Sequence, residues 1–129
     1  MNIKKITSKL LIISFITFFS CTHYQPINYD ELNSKGLIGR WEMSMDPYYI
    51  EILCNGEMHF IKPSTNFLYG DQKGSSFVIT QFEKNKIIAG PVVRTTFQVD
   101  EWPHDENERT LMTLDGRIWH KSKNFNCID

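Results

Sequence analysis

The chain has 129 residues, of which 41% are hydrophobic, 13% aromatic and 22% charged, and its formal net charge is −1. This length suits one domain, and the aromatic content argues against a wholly disordered chain. The balanced charge argues against a non-specific nucleic-acid binder, because such proteins carry a basic excess.

Residues 1–20 have the pattern of a secretory signal peptide. Residues 1–9 hold three lysines and no acid, and an apolar run follows at residues 10–19. The small residue Ser20 then stands before Cys21. A basic segment, a short apolar segment and a small residue at the cleavage site are typical of such a signal. The alternative is a membrane-spanning helix, but a span needs about 20 apolar residues, and this run has ten.

The sequence Phe18-Phe19-Ser20-Cys21 resembles the lipobox of bacterial lipoproteins. The resemblance implies that Cys21 becomes the mature N-terminus, is acylated and anchors the chain in a lipid bilayer. An ordinary cleaved signal is the alternative. In a Gram-negative cell, Thr22 in place of aspartate implies sorting to the outer membrane, with the domain facing the periplasm. Stable attachment needs more than one acyl chain, and lipoproteins of this kind carry three.

Removal of the signal changes the charge of the protein. The removed segment holds three lysines and no acid, so 109 residues with a net charge of −4 would remain. Such a surface gives no general reason to bind nucleic acid or anionic lipid. We expect three segments: a signal peptide at 1–20, a lipidated N-terminus and tether at 21–36, and a β domain at 37–129.

The three cysteines separate into one lipid site and one pair. With Cys21 assigned to lipid, Cys54 and Cys127 remain, both in an oxidising compartment where disulfides persist. We therefore predict a Cys54–Cys127 disulfide. The alternatives are a buried free Cys54 and a metal site, but neither cysteine belongs to a cluster with metal-ligand spacing.

From Leu37 onward, apolar and polar residues alternate with the period of β-strands. A helical turn is predicted at 29–33. Strands are predicted at 37–45, 48–54, 57–62, 66–69, 76–82, 86–89, 92–99, 109–114 and 117–121. Asn55-Gly56 and Asp115-Gly116 are hairpin signals. Eight or nine short strands and no long amphipathic helix predict an all-β antiparallel meander, closed as a barrel or folded as a sandwich.

The sequence Gly39-Arg40-Trp41, which follows the predicted helical turn, is similar to the Gly-x-Trp motif on the first strand of lipocalins. The resemblance implies a small up-and-down barrel of about eight strands, with Gly39 and Trp41 at its base. It also implies a basic side chain near the last strand that packs on the indole, for which Arg117 is the candidate. The domain is shorter than a full lipocalin, and so small a barrel has a narrow interior.

Residues 100–108 are predicted to form an acidic loop, because five of these nine residues are acidic. One interpretation is a solvated loop with Trp102 folded over the barrel rim. The other is a recognition loop for a basic partner, since loops on rigid scaffolds often bind and an aromatic residue among charges suits an interface hot spot. The candidate contacts are Asp100, Glu101, Trp102, His104, Asp105 and Glu106.

No motif for catalysis or for a cofactor is present. The chain lacks the glycine-rich phosphate loops, the Gly-x-Ser-x-Gly elbow and the His-Glu-x-x-His pattern. The four histidines lie far apart without metal-ligand spacing, and the acidic segment does not follow the EF-hand pattern. We therefore expect no catalytic residue, no metal and no cofactor.

These patterns favour a non-enzymatic envelope lipoprotein whose barrel is a binding or interaction module. A second hypothesis is a periplasmic inhibitor or immunity protein that blocks a basic hydrolase through residues 100–108. A third is a carrier of a small apolar ligand. A filled core and an unremarkable rim would leave only the general module, and an exposed Trp102 ringed by acids would favour the inhibitor. An open lumen lined by Trp41, Met43, Phe60 and Phe97 would favour the carrier.

Overall fold

The computed structural model describes residues 25–64, 70–90 and 94–127. The predicted signal peptide, Cys21 and the predicted strand at 66–69 lie outside these ranges. Within them, none of the helical structure has the length and apolar character that crossing a bilayer requires.

One short helix and eight strands follow one another along the chain. They are α1 (Tyr29–Ser34), β1 (Gly39–Glu42), β2 (Tyr49–Ile52), β3 (Glu57–Lys62), β4 (Gln72–Glu83), β5 (Lys86–Gly90), β6 (Thr95–Glu106), β7 (Arg109–Leu114) and β8 (Arg117–Lys121). Each strand pairs antiparallel with the next, and β1 pairs with β8, so the sheet closes. The predicted all-β, eight-stranded up-and-down barrel is confirmed. Closure removes the exposed sheet edges that invite aggregation.

The segment before β1 packs into the barrel. The side chain of Asn28 caps α1 by accepting a hydrogen bond from the Glu31 backbone N–H at 2.8 Å. The helix places Leu32 in the core, and the backbone N–H of Ile27 donates to the Ile79 carbonyl at 2.9 Å. The folded domain therefore includes residues from Ile27 onward, ten positions before its predicted start at Leu37.

The core follows the two-residue period of the strands. Side chains directed inward from every strand join the cluster, which includes Trp41, Ile50, Met58, Ile79, Ile87, Val99, Met112 and Trp119. The rings of Phe60, Phe77 and Phe97 contact one another, with centroids 5.3–6.0 Å apart. Burial of such side chains contributes roughly 1.5–3 kcal/mol each before the entropy of ordering is subtracted.

The predicted disulfide is present. Cys54 and Cys127 are bonded, with their Cα atoms 5.8 Å apart and a sequence separation of 73. The bond joins the tail after β8 to the turn after β2. In the chain-entropy treatment, a disulfide that closes a loop of this length stabilises the folded state by about 4 kcal/mol.

Strand β6 corrects the prediction of an acidic loop. It continues to Glu106, so residues 100–106 belong to a long hairpin with β7, and only Asn107 and Glu108 form the turn. Both turn residues have positive φ, 51° and 65°, as a tight two-residue hairpin requires. The prediction of a loop was wrong because tryptophan, proline and many charges in succession conceal a strand that contains bulges.

Candidate functional site

Two register shifts occur in the C-terminal half of β6. Val99 lies opposite Leu114, Glu101 opposite Thr113, and His104 opposite Leu111. Strand β6 therefore gains one residue on β7 at each step, which defines two β-bulges. Pro103 falls within the second bulge, where its missing N–H costs no ladder hydrogen bond.

The second bulge brings three ionisable residues together. Glu101 and His104 are three positions apart and would face opposite sides of a regular strand. In this strand the His104 Nε2 atom lies 3.6 Å from a Glu101 carboxylate oxygen and 3.5 Å from one of Glu106. We call Glu101, His104 and Glu106 the acidic face. Their side chains are 62%, 38% and 58% exposed, so a partner can reach them.

The ring of His104 is oriented by the bulge itself. Its Nδ1 atom lies 2.9 Å from the Trp102 carbonyl oxygen, so the Nδ1–H tautomer donates to that oxygen. This hydrogen bond, followed by the carboxylates of Glu106 and Glu101, raises the pKa of His104 above its ordinary value. The acidic face therefore favours the protonated form of its histidine.

The other predicted contact residues have structural partners. Asp100 accepts a hydrogen bond from the Gly116 backbone N–H at 2.9 Å, and Asp105 accepts one from the Thr110 hydroxyl at 2.7 Å. These two carboxylates hold β6 to the β7–β8 turn and to β7. The structure therefore separates the predicted acidic set into two structural members and an exposed acidic face.

Trp102 lies against the barrel. Its indole N–H donates to the Lys84 carbonyl at 3.0 Å, and its ring meets that of Phe82 edge-on with centroids 5.7 Å apart. The ammonium of Lys35 lies 4.6 Å from the ring centroid. This geometry matches an indole folded over the barrel rim and opposes an exposed anchor ringed by acids.

The Gly-x-Trp motif lies on β1, with Trp41 in the barrel core. The indole N–H of the fully buried Trp41 donates to the Leu37 carbonyl at 2.8 Å. The ammonium of Lys121 lies 5.5 Å from the centroid of that ring and donates to the Gly36 carbonyl at 3.2 Å. A Cβ on Gly39 would lie 2.6 Å from Lys121 Cε, and Gly39 has a φ of +151°. The backbone conformation therefore favours glycine at position 39, while the end of the lysine side chain could shift to admit a Cβ.

The basic partner of Trp41 is Lys121, which corrects the choice of Arg117. Arg117 is exposed and pairs with Leu114 beside the β7–β8 turn, whereas Lys121 pairs with Trp41 itself. The two basic residues are four positions apart on one strand and share a face. The offset between β1 and β8 decides which of them meets the indole, and that offset is set by closure of the whole barrel.

The barrel interior contains the side chains that were predicted to line a lumen. Trp41 and Phe97 belong to the buried core, and Met43 and Phe60 pack against it. Trp119 is 3% exposed, and its indole N–H has no hydrogen-bond partner in the described part of the chain. These contacts place packed side chains across the interior and favour the module over the carrier.

Two polar clusters on the outer wall have no counterpart in the sequence prediction. The Tyr49 hydroxyl donates to Asp71 at 2.7 Å beneath the Arg40 guanidinium. Burial, and then this bond to Asp71, raises the pKa of Tyr49 to about 12. The same bond, together with one from the Ser64 N–H, lowers the pKa of Asp71.

The second cluster has a Ser–His–Glu order. The His59 Nδ1 atom lies 2.7 Å from the Ser76 hydroxyl, and Nε2 lies 3.1 Å from Glu57. This order occurs in hydrolase triads. His59 is buried, and its contact with Ser76 crosses from β3 to β4. We therefore assign the cluster to the packing of β3 against β4. The feature that brings these residues together is the cross-strand pairing of His59 with Ser76. That pairing could be predicted only from the register of β3 and β4.

The chain matches no protein-family model, no curated protein and no solved structure. The lipoprotein and lipocalin resemblances therefore rest on the residues quoted for them. Across the described ranges, no group of three or more His, Cys, Asp or Glu side chains is arranged to hold a metal ion.

Proposed function

We propose that this protein is a non-enzymatic envelope lipoprotein, anchored through Cys21, whose small barrel is an interaction module. The support for the anchor is the signal-like pattern of residues 1–20 and the lipobox-like sequence that ends at Cys21. The support for a module is the closed barrel with aromatic rings packed inside it. In this proposal the domain faces the periplasm from the outer membrane.

The acidic face is the surface that this module presents to a basic protein. The observation that carries this step is the bulge, which turns Glu101, His104 and Glu106 to one side and leaves them exposed. Neither glutamate has a partner other than the histidine in the described chain. Exposed like charges on a rigid hairpin steer a partner of opposite charge and fix its orientation.

The anchor has a direct test. Cells that express the full chain are labelled with radioactive palmitate and compared with cells that express Cys21→Ala. We expect label and membrane fractionation for the wild type and neither for the variant. A Cys21→Ala protein that still fractionates with membrane would refute lipid anchoring through this residue.

The acidic face is tested by affinity capture from envelope extract with the full chain. Glu101→Gln/Glu106→Gln removes two charges from the face, while Glu31→Gln/Glu83→Gln removes two charges from exposed positions elsewhere. We expect a basic partner to be retained by the wild type and by the control pair but lost from the first variant. Equal capture by all three proteins would show that the face is not the binding surface.

A second candidate function is inhibition of a basic hydrolase of the lysozyme type. The same exposed acidic face favours it, since such enzymes present basic surfaces. The test is the rate of cell-wall lysis with the barrel protein in large excess. Inhibition that disappears in Glu101→Gln/Glu106→Gln would support this function, and an unchanged rate with the wild type would exclude that enzyme as the target.

A further inference from the structure

Ile118 is an exposed apolar side chain that the barrel core does not use. Of the large hydrophobic side chains that are exposed in the described part of the chain, Ile118 alone belongs to a strand, and it is 64% exposed. A strand holds the side chain in place, so little order has to be created when a partner binds. A single exposed apolar residue is ordinary on a protein surface, so its neighbours decide whether it has a role.

The register of the sheet brings a second apolar side chain close to Ile118. Leu111 lies opposite His120, which is two positions from Ile118 on β8. The two apolar residues are therefore diagonal neighbours, at a separation that long side chains can bridge. Met112 and Trp119, which alternate with them along the strands, are buried. Leu111 and Ile118 therefore lie on the outer face of the sheet, and we call them the apolar pair.

The apolar pair is continuous with the acidic face. Leu111 lies opposite His104 of that face. Thr113 lies between Ile118 and Glu101, opposite both. Directly opposed side chains on one face of an antiparallel sheet have Cβ atoms about 5 Å apart. The outer sides of β6, β7 and β8 therefore form one surface, with carboxylates on β6 and apolar side chains on β7 and β8.

The charge of this part of the barrel differs from that of the rest. Residues 99–120 hold six acids and two arginines, whereas the other described residues hold eight acids and nine lysines or arginines. Arg109 lies opposite Glu106 and offsets part of the negative charge, while Glu101 lies opposite the neutral Thr113. The excess negative charge of the described chain therefore belongs to β6–β8.

The sign of this charge decides among the possible occupants of the surface. A second copy of the chain would bring the same acids against one another, and anionic lipid headgroups would also be repelled. Apolar side chains beside carboxylates instead complement a protein segment in which apolar residues stand next to lysine or arginine.

We propose that the outer face of β6–β8 docks such a basic, amphipathic protein segment. The apolar pair receives an apolar side chain of the partner, and Glu101 and Glu106 receive its cations. This step rests on the proposed function, because it extends the acidic face and names the chemistry of its partner. The two halves of the surface act differently: the carboxylates attract at a distance and are screened by salt, whereas apolar contact acts only after docking.

The test uses the full chain in micelles of a non-ionic detergent at constant ionic strength and mildly alkaline pH, which disfavours protonated histidine. Backbone amide shifts of Thr113, Ile118 and His120 are followed by NMR during titration with three short peptides whose ends are blocked. One alternates lysine with leucine, one lysine with serine, and one glutamate with leucine. The diffusion of each peptide gives its free concentration, so peptide taken up by micelles is not counted.

Two substitutions separate the apolar half of the surface from the charged half. Ile118→Thr removes apolar surface but keeps a β-branched residue that suits a strand. Tyr29→Thr removes an exposed hydrophobic side chain from α1 and is its matched control. Glu101→Gln/Glu106→Gln removes the charges and is compared with the control pair of glutamates used for affinity capture.

We expect the wild type to bind the lysine–leucine peptide at least about tenfold more tightly than the lysine–serine peptide, because only leucine buries apolar surface against the pair. Ile118→Thr should lose this preference, and Tyr29→Thr should retain it. Glu101→Gln/Glu106→Gln should weaken the binding of both lysine peptides.

Several results would overturn the proposal, and they differ in what else they reject. Equal affinity of the wild type for both lysine peptides, or an unchanged preference in Ile118→Thr, would remove the apolar pair and leave the acidic face in place. Binding of the glutamate–leucine peptide would reject a basic partner. Shifts of the same amides when the protein alone is concentrated would assign the surface to a second copy. Unchanged binding of the lysine–serine peptide by Glu101→Gln/Glu106→Gln would refute the acidic face, and the proposal with it.

Discussion

Trp41 and Trp102 are held by the same two kinds of contact and differ in what surrounds them. Each indole N–H donates to a backbone carbonyl, and each ring lies near a lysine ammonium. Trp41 is fully buried within the barrel core, whereas Trp102 is half-buried on a bulged hairpin. Polar contacts alone therefore do not distinguish a core tryptophan from one at the rim. The amount of buried ring surface distinguishes them.

The largest expected effect follows from that difference in burial. Trp41→Ala should lower the free energy of unfolding by about 3–5 kcal/mol, because it leaves a cavity in the core. Trp102→Ala should cost about 2 kcal/mol, since only part of its ring is removed from water. Urea unfolding of both variants measures the pair. Equal losses would remove burial as the distinction between the two residues.

The crossing of Lys121 over β1 gives the next effect. Gly39→Ala forces a side chain onto a φ of +151° and brings its Cβ within 2.6 Å of Lys121 Cε, so we expect a loss of about 1–3 kcal/mol, most of it from the backbone. Adding Lys121→Ala should restore part of the loss by removing the steric term. A double-mutant cycle with no coupling between the two positions would contradict the contact between them.

A smaller effect is expected from the hydrogen bond of a buried indole, which Trp41 makes and Trp119 lacks among the described residues. Trp41→Phe and Trp119→Phe delete the same atoms from buried rings, but only Trp41 loses a hydrogen bond, the one to Leu37. We expect Trp41→Phe to cost about 1 kcal/mol more than Trp119→Phe. Thermal or chemical unfolding of the two variants measures this difference in stability. A loss at Trp119 as large as that at Trp41 would mean that the Trp119 N–H has a partner.

The smallest effect concerns the histidine beside Trp102. The pKa of His104 is raised above 6.5, so protonated His104 stabilises the folded state. That contribution is fully present below the unfolded-state pKa near 6.5 and is lost as the pH rises through the higher folded-state value. Titration by NMR should give a raised pKa that falls toward 6.5 in Glu101→Gln/Glu106→Gln. A wild-type value at or below 6.5 would show that the acidic face is not assembled in solution.

Much of the fold was predictable because it depends on local patterns. Alternation identified the strands, and Asn55-Gly56 and Asp115-Gly116 marked two of the turns. Positive φ values at Gly56, Asp115 and Gly116 are the local requirement that the turn sequences satisfy. Each of these inferences needs only a few neighbouring residues.

The rest depended on geometry that no short segment carries. The bulge at Pro103 sets the direction of His104, and the offset between β1 and β8 selects Lys121 over Arg117. Ile27 enters the core beside Ile79, to whose carbonyl its backbone N–H donates across 52 positions of the sequence. The net charge of the chain also does not predict where individual charges lie, since Arg109 and Lys123 line one groove of an acidic chain.

Closure of the barrel has a kinetic consequence. All strand pairs join neighbours in the chain except β1–β8, which is made by two residue pairs, Trp41 with Lys121 and Glu42 with His120. Because distant contacts form only after a large loss of chain entropy, we expect hairpins to form first and this seam last. The Cys54–Cys127 bond keeps the end of β8 close to β2 before folding begins. The oxidised chain should therefore refold faster than the reduced chain.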